Sequence, residues 1–199
     1  MHWLMLPMCD NADDIREYVK IINSIDPGWL AKHGALQIIC ETPKGLQNLH
    51  NMLESIPEVQ GVVAGAGDFL RFAQGSSDAL LSKIRWEVLN ACLCHGCFPI
   101  DSLPLSLAKN GDIVESHATG AVDHGLRAGI ILHPQQTDLF NEIFSPSSEQ
   151  LATATDLVPD WLNKRDSGYN RGSGDGKLIP VYNISSFYPL FSHGVYFYE

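Results

Sequence analysis

The chain has 199 residues, a length that suits one domain, with 45% hydrophobic and 18% charged residues, which is globular composition and excludes disordered and fibrous classes. Its formal net charge of -10 argues against nucleic acid as a partner, because phosphate binding needs a basic surface. No apolar run approaches the ~20 residues of a membrane helix, and Met1 to Pro7 lacks the basic region and cleavage site of a signal peptide. Five cysteines, an odd number, point to reduced thiols and a cytoplasmic location, where the sequon Asn183-Ile184-Ser185 carries no weight.

A short β-rich apolar run followed by a segment of helical periodicity recurs about every 30 residues. The first run is His2 to Pro7. Asp10 is then expected to cap a helix with Asp13 and Asp14 in its first turn and Ile15, Val19 and Ile22 on one face, stopped by Asp26-Pro27-Gly28. The second run is Ala35 to Glu41. Thr42 as N-cap and Pro43 at the first helical position open the next helix, with Leu46, Leu49, Leu53 and Ile56 on its apolar face. The third run, Val59 to Ala64, ends in Gly65-Ala66-Gly67-Asp68, and Ser76 or Ser77 then caps a helix reaching about His95-Gly96. The fourth run is Cys97 to Asp101 and the fifth Leu126 to His133, followed by helices near Gln135 to Ile143 and Ser147 to Asn163.

Continuous apolar runs mark strands buried on both faces, and strands alternating with helices make parallel βαβ units. Five units fit an open doubly wound sheet or a piece of a barrel. Polar residues at the strand ends, namely Asp10, Glu41, Asp68, Asp101 and His133, favour the barrel, whose catalytic groups cluster there. The expected fold is therefore α/β: about five C-terminal βα units of a partial TIM (β/α)8 barrel, with the earlier strands expected before Met1. Residues 1–165 are expected to form the barrel domain. Residues 166–199 would then hold a Gly, Ser and Asp-rich flexible loop, 166–176, and an irregular aromatic tail, 178–199, without a period.

The order of short motifs carries a resemblance. Leu4-Met5-Leu6-Pro7 is followed by Ile38-Ile39-Cys40-Glu41-Thr42 with Gly45, then Gly65-Ala66-Gly67-Asp68-Phe69, then Pro99-Ile100-Asp101. Ile131-Leu132-His133-Pro134-Gln135-Gln136 and Phe144-Ser145-Pro146-Ser147 complete the series. From about Leu4 to Ala154 the chain resembles the citrate lyase beta subunit-like branch of the HpcH/HpaI aldolase family, relatives of malyl-CoA and citramalyl-CoA lyases. The resemblance implies a TIM-barrel carbon–carbon lyase that uses Mg²⁺, with Mn²⁺ as a substitute. Glu41 and Asp68 would be the metal ligands, and the backbone N–H groups of Gly65, Ala66 and Gly67 would hold a substrate carboxylate. The implied substrate is a β-hydroxy acyl-CoA thioester, or a related hydroxy or keto acid. Asp101 is the candidate catalytic group, and His133 reads as structural.

Three departures stand beside that reading. The early strands are absent, with an acidic motif and an arginine; Met8 stands where resembling chains carry Lys; and Pro180 stands where their tails carry Asp. An inactive fragment or an accessory subunit is the alternative. Open strand edges make a homo-oligomer the expected state. Cys94-His95-Gly96-Cys97 closes a helix and precedes a strand, the wrong order for a redox pair, and no second ligand pair exists for zinc. Arg71 and Arg85 are read as lying on solvated helix faces.

Overall fold

The computed structural model describes residues 2–75, 77–103, 111–149, 151–153, 155, 171–174 and 177–180. Contacts divide the chain into two units, Met1–Phe144 and Ser145–Glu199. The expected boundary at 165/166 and the tail after Pro180 lie outside the described residues, as does most of the second half of the helix expected near Ser147 to Asn163.

The first unit alternates strand and helix: β1 (His2–Leu6), α1 (Ala12–Ile25), α2 (Trp29–His33), β2 (Gly34–Cys40), α3 (Pro43–Ser55) and β3 (Val59–Ala64). It continues with α4 (Ala66–Ala73), α5 (Asp78–His95), β4 (Phe98–Ser102), α6 (Gly111–Asp123), β5 (Ala128–Ile130), a 3-10 turn (Pro134–Gln136) and α7 (Thr137–Phe144). All four strand pairings are parallel, and the sheet order is β1-β2-β3-β4-β5. A doubly wound sheet reverses its strand order at a switch point. This one runs monotonically and curls into a half-barrel, as expected of consecutive barrel units.

Register separates the two faces of the sheet. Side chains alternate along each strand. Leu4, Leu6, Leu36, Ile38, Cys40, Val62, Ala64 and Asp101 thus face the helices, and their apolar members join a core with Ile15, Leu49, Met52, Ile84 and Val88. Trp3, Met5, Gln37, Ile39, Gly61, Val63 and Ile100 take the opposite, concave face. The geometry agrees: a Cβ on Gly61 would meet Gln37 Cγ at 3.1 Å and Ile100 Cδ1 at 3.3 Å. The continuous runs noted in the sequence are therefore strands with one face under helices and the other inside the curl.

The starts of α1, α3 and α5 follow their sequence signals with one change. Asn11, not Asp10, caps α1: its side chain accepts from the Asp13 and Asp14 amides while Asp14 reaches back to the Asn11 N–H. Thr42 caps α3 with Pro43 first, and Ser77 caps α5. In the second unit, the segment expected to be a loop contributes β6 (Arg171–Gly174), which pairs antiparallel with β7 (Lys177–Pro180). Among the described residues no helix is long and apolar enough to cross a membrane.

Candidate metal and substrate site

The site forms where β1, β2 and β3 end. Glu41 follows the last residue of β2, continues the concave face after Gln37 and Ile39, and is buried. Its Oε1 accepts from the Met8 N–H at 2.8 Å. Met8 reaches it through a left-handed backbone, φ 53°, an uncommon conformation for a residue with a Cβ.

The turn holding Met8 is clamped against the start of α3. Asn48 Nδ2 donates to Asp10 O at 2.8 Å, and the Thr42 hydroxyl donates to the Asp10 carboxylate while accepting from the Gly45 amide. A Cβ on Gly45 would stand 2.6 Å from Cys9 O, so only glycine lets the turn lie that close. The Glu41-Thr42-x-x-Gly45 spacing thus has a local cause. Glu41 projects into the site, and the next residues seat the loop whose amide orients it.

Asp68 lies in the first turn of α4, three residues after Gly65. It stands near enough to Glu41 for its charge to act on the Glu41 carboxyl. Burial raises the Glu41 pKa first, and the Asp68 charge and a hydrogen bond between the two side chains raise it further, against the lowering by the Met8 amide. Arg71 Nη1 approaches Asp68 Oδ1 at 3.1 Å as an exposed i,i+3 pair. Gly65 is fixed sterically, since its Cβ would fall 2.4 Å from Glu41 Cβ.

Of the three amides expected to face a substrate carboxylate, Gly65 N–H is committed to Cys40 O at 2.9 Å and Ala66 N–H makes a long 3.3 Å bond to Ser102 Oγ. Gly67 N–H lies in the first turn of α4, where amides have no partner within the helix. Gly65 therefore contributes space, its own amide being committed to Cys40 O.

Asp101 goes elsewhere. Its register puts it on the helix-facing side of β4, 2% exposed, where Arg85 Nε and Nη2 grip its two oxygens at 3.1 and 2.7 Å. Arg85 Nη2 also donates to His117 O, and His117 Nε2 lies 2.8 Å from Asp101 Oδ2 without hydrogen-bond alignment. The structure does not bring Asp101 beside Glu41 and Asp68. It also corrects the reading of Arg85, which is 3% exposed and lies inside the helical layer rather than on a solvated face. A Cβ on Gly120 would stand 3.3 Å from Arg85 Nη1, so α6 leaves room for the guanidinium. Arginine in a helix reads as surface in sequence, and only its pairing with a strand residue reveals otherwise.

His133 caps the 3-10 turn. Its Nδ1 accepts from Gln135 N–H, and Gln136 Oε1 accepts from the Leu132 and His133 amides. Cys94 and Cys97 lie at the end of α5 and before β4 as expected, and His95 Nε2 is 3.2 Å from His50 Nδ1. Burial pushes the Cys9 and Cys40 thiols up to about 12, so both stay protonated next to the site.

Among the described residues no group of three or more His, Cys, Asp or Glu could hold a metal ion. The Glu41–Asp68 pair still fits Mg²⁺, which binds through one or two carboxylates and keeps waters and substrate oxygens in its other positions. A buried carboxyl whose pKa is raised beside a second carboxylate, as Glu41 is beside Asp68, is what a hard cation relieves.

A model of the HpcH/HpaI aldolase/citrate lyase type matches residues 1–134. The chain belongs to the HpcH/HpaI aldolase/citrate lyase family. Members similar to it include the L-malyl-CoA/beta-methylmalyl-CoA lyase of Rhodobacter capsulatus, 21% identical over 91% of this chain and 63% of that one. A citrate lyase from Burkholderia xenovorans has a similar fold, with a TM-score of 0.69 at 17% identity over 96% of this chain and 62% of that one. CitE from Mycobacterium tuberculosis, solved with magnesium, acetoacetate and coenzyme A, gives a TM-score of 0.58 at 18% identity over 94% and 75%. This family member thus spans about 63% of the length of the curated lyase it matches.

Proposed function

We propose that the chain supplies the metal and carboxylate end of a Mg²⁺-dependent carbon–carbon lyase acting on a β-hydroxy acyl-CoA thioester of the citryl, malyl or citramalyl kind. The observation that carries this reading is the pairing of Glu41 with Asp68 at the ends of β2 and β3, where burial and the Asp68 charge raise the Glu41 pKa. Family membership and the magnesium and coenzyme A bound to CitE agree with it.

The cleavage breaks a carbon–carbon bond next to a hydroxyl, which gives up its proton as the electrons pass into an enolate of the departing acyl group. A bound Mg²⁺ supplies positive charge where the substrate's oxygens gather negative charge. Glu41 and Asp68 would hold the ion. The Met8 amide keeps Glu41 turned into the site, and Gly65 lets the two walls close together. The Ala66 and Gly67 amides, at the positive end of α4, would receive a substrate carboxylate. Asp101 serves from beneath, holding the end of β4 through Arg85. In this reading the chain works as a homo-oligomer, supported by β1 and β5 standing at the two ends of the sheet among the described residues and by Trp3 and Met5, which are 43% and 40% exposed on the concave side.

Malyl-CoA and citramalyl-CoA, offered with Mg²⁺, should be split into a shorter acyl-CoA and a keto acid, with the Glu41→Ala/Asp68→Ala variant inactive. Mg²⁺ binding without cleavage of either thioester would favour an accessory subunit. Pro180, in place of the acidic residue of resembling tails, is the feature on that side.

A further inference from the structure

We infer that Ser102 is a positioning residue of this site, setting the angle at which α4 presents Asp68 to Glu41; the inference rests on the metal reading above. Gly65 joins β3 to α4 with φ -74° and ψ 62°. These are the angles of an inverse γ-turn, in which the carbonyl before the central residue would bond directly to the amide after it. Here those groups are Ala64 O and Ala66 N–H, and the Ser102 hydroxyl bridges them, donating to Ala64 O at 2.6 Å and accepting from Ala66 N–H at 3.3 Å. One side chain from the neighbouring strand thus closes the turn.

Its placement follows from the register. Ala64 pairs with Asp101 on the helix-facing side, so the next residue of β4, Ser102, falls on the concave side over Gly65. On the other flank Gly65 is tied to β2, its N–H donating to Cys40 O at 2.9 Å. The turn lies between a fixed β2 end and the Ser102 hydroxyl, and Asp68 is three residues downstream. Removing the hydroxyl leaves the Ala64 carbonyl and the Ala66 amide without their bridge. The first turn of α4 can then rotate, which separates the two carboxylates and misdirects the Ala66 amide.

Groups that orient metal ligands without touching the metal alter affinity by about 10–100-fold when removed. The test is Mn²⁺ titration, read by electron paramagnetic resonance, of the parent, Ser102→Ala, and the pair Ser102→Thr and Ser102→Val, which match in shape and differ in the hydroxyl. Hydrogen exchange of the peptide spanning 62–70 is measured alongside. Ser102→Ala and Ser102→Val should bind Mn²⁺ about tenfold more weakly, with faster exchange at that peptide alone, while Ser102→Thr retains parental affinity. Parental affinity in folded Ser102→Val overturns the inference and leaves the metal reading standing. A parent that takes up no Mn²⁺ overturns the metal reading, and the role of Ser102 with it.

Discussion

Glu41 carries a conflict that a cation would remove. Burial and the neighbouring Asp68 hold its carboxyl above the usual 4.5, while the Met8 amide favours the ionised form. Between the usual value and the raised one, the metal-free folded chain binds more protons than the unfolded chain, so its stability falls as pH rises through that window. A divalent cation stabilises the ionised pair and expels the proton, so metal binding strengthens across the same window. Thermal unfolding at a series of pH values, with and without Mn²⁺, should therefore show melting temperatures that diverge as pH rises through it. Parallel curves would mean that no divalent cation binds the Glu41–Asp68 pair. Glu41→Gln keeps an acceptor for the Met8 amide and removes the repulsion, so without metal it should flatten the pH dependence.

The elements around the site divide into those that place the ligands and those that hold the frame. β4 does both, with Ser102 on one face and Asp101 on the other. The Arg85–Asp101 pair is almost fully enclosed between α5, β4 and α6, so removing one partner leaves a buried charge alone. Asp101→Leu should destabilise the fold by about 3–5 kcal/mol in denaturant unfolding, and the double change Asp101→Leu/Arg85→Met should recover most of that loss. A mild effect of the single change would mean that the pair does not hold the frame.

The strand–helix alternation was legible in the sequence because β2 and β3 are short, mostly apolar runs and Thr42-Pro43 is a strong helix start. The short helices were not. α2 is five residues between two left-handed glycines, Gly28 and Gly34, and α4 begins inside Gly65-Ala66-Gly67, which reads as a turn. The buried face of α6 is Val114, His117, Ala118 and Ala121, too small and too polar to show a stripe. Glu41 and Asp68 stood out as acids closing apolar runs. Ser102 and Arg85 did not, because their roles depend on partners 36 or 38 and 16 residues away, brought close only by strand register and helix packing.

At the scale of the molecule, a half-barrel of five sequential parallel strands gathers the ends of β1, β2 and β3 into one acidic corner. The chain spans about 63% of a curated lyase relative, and in the proposed reading this span assembles the metal site from its own Glu41 and Asp68. Calorimetric titration of the purified chain with Mg²⁺ and Mn²⁺ at neutral pH, beside Glu41→Gln, tests that most directly. Saturable binding by the parent and none by the folded variant is the expected result. A folded parent that takes up neither ion, or a variant that binds as tightly as the parent, would contradict it.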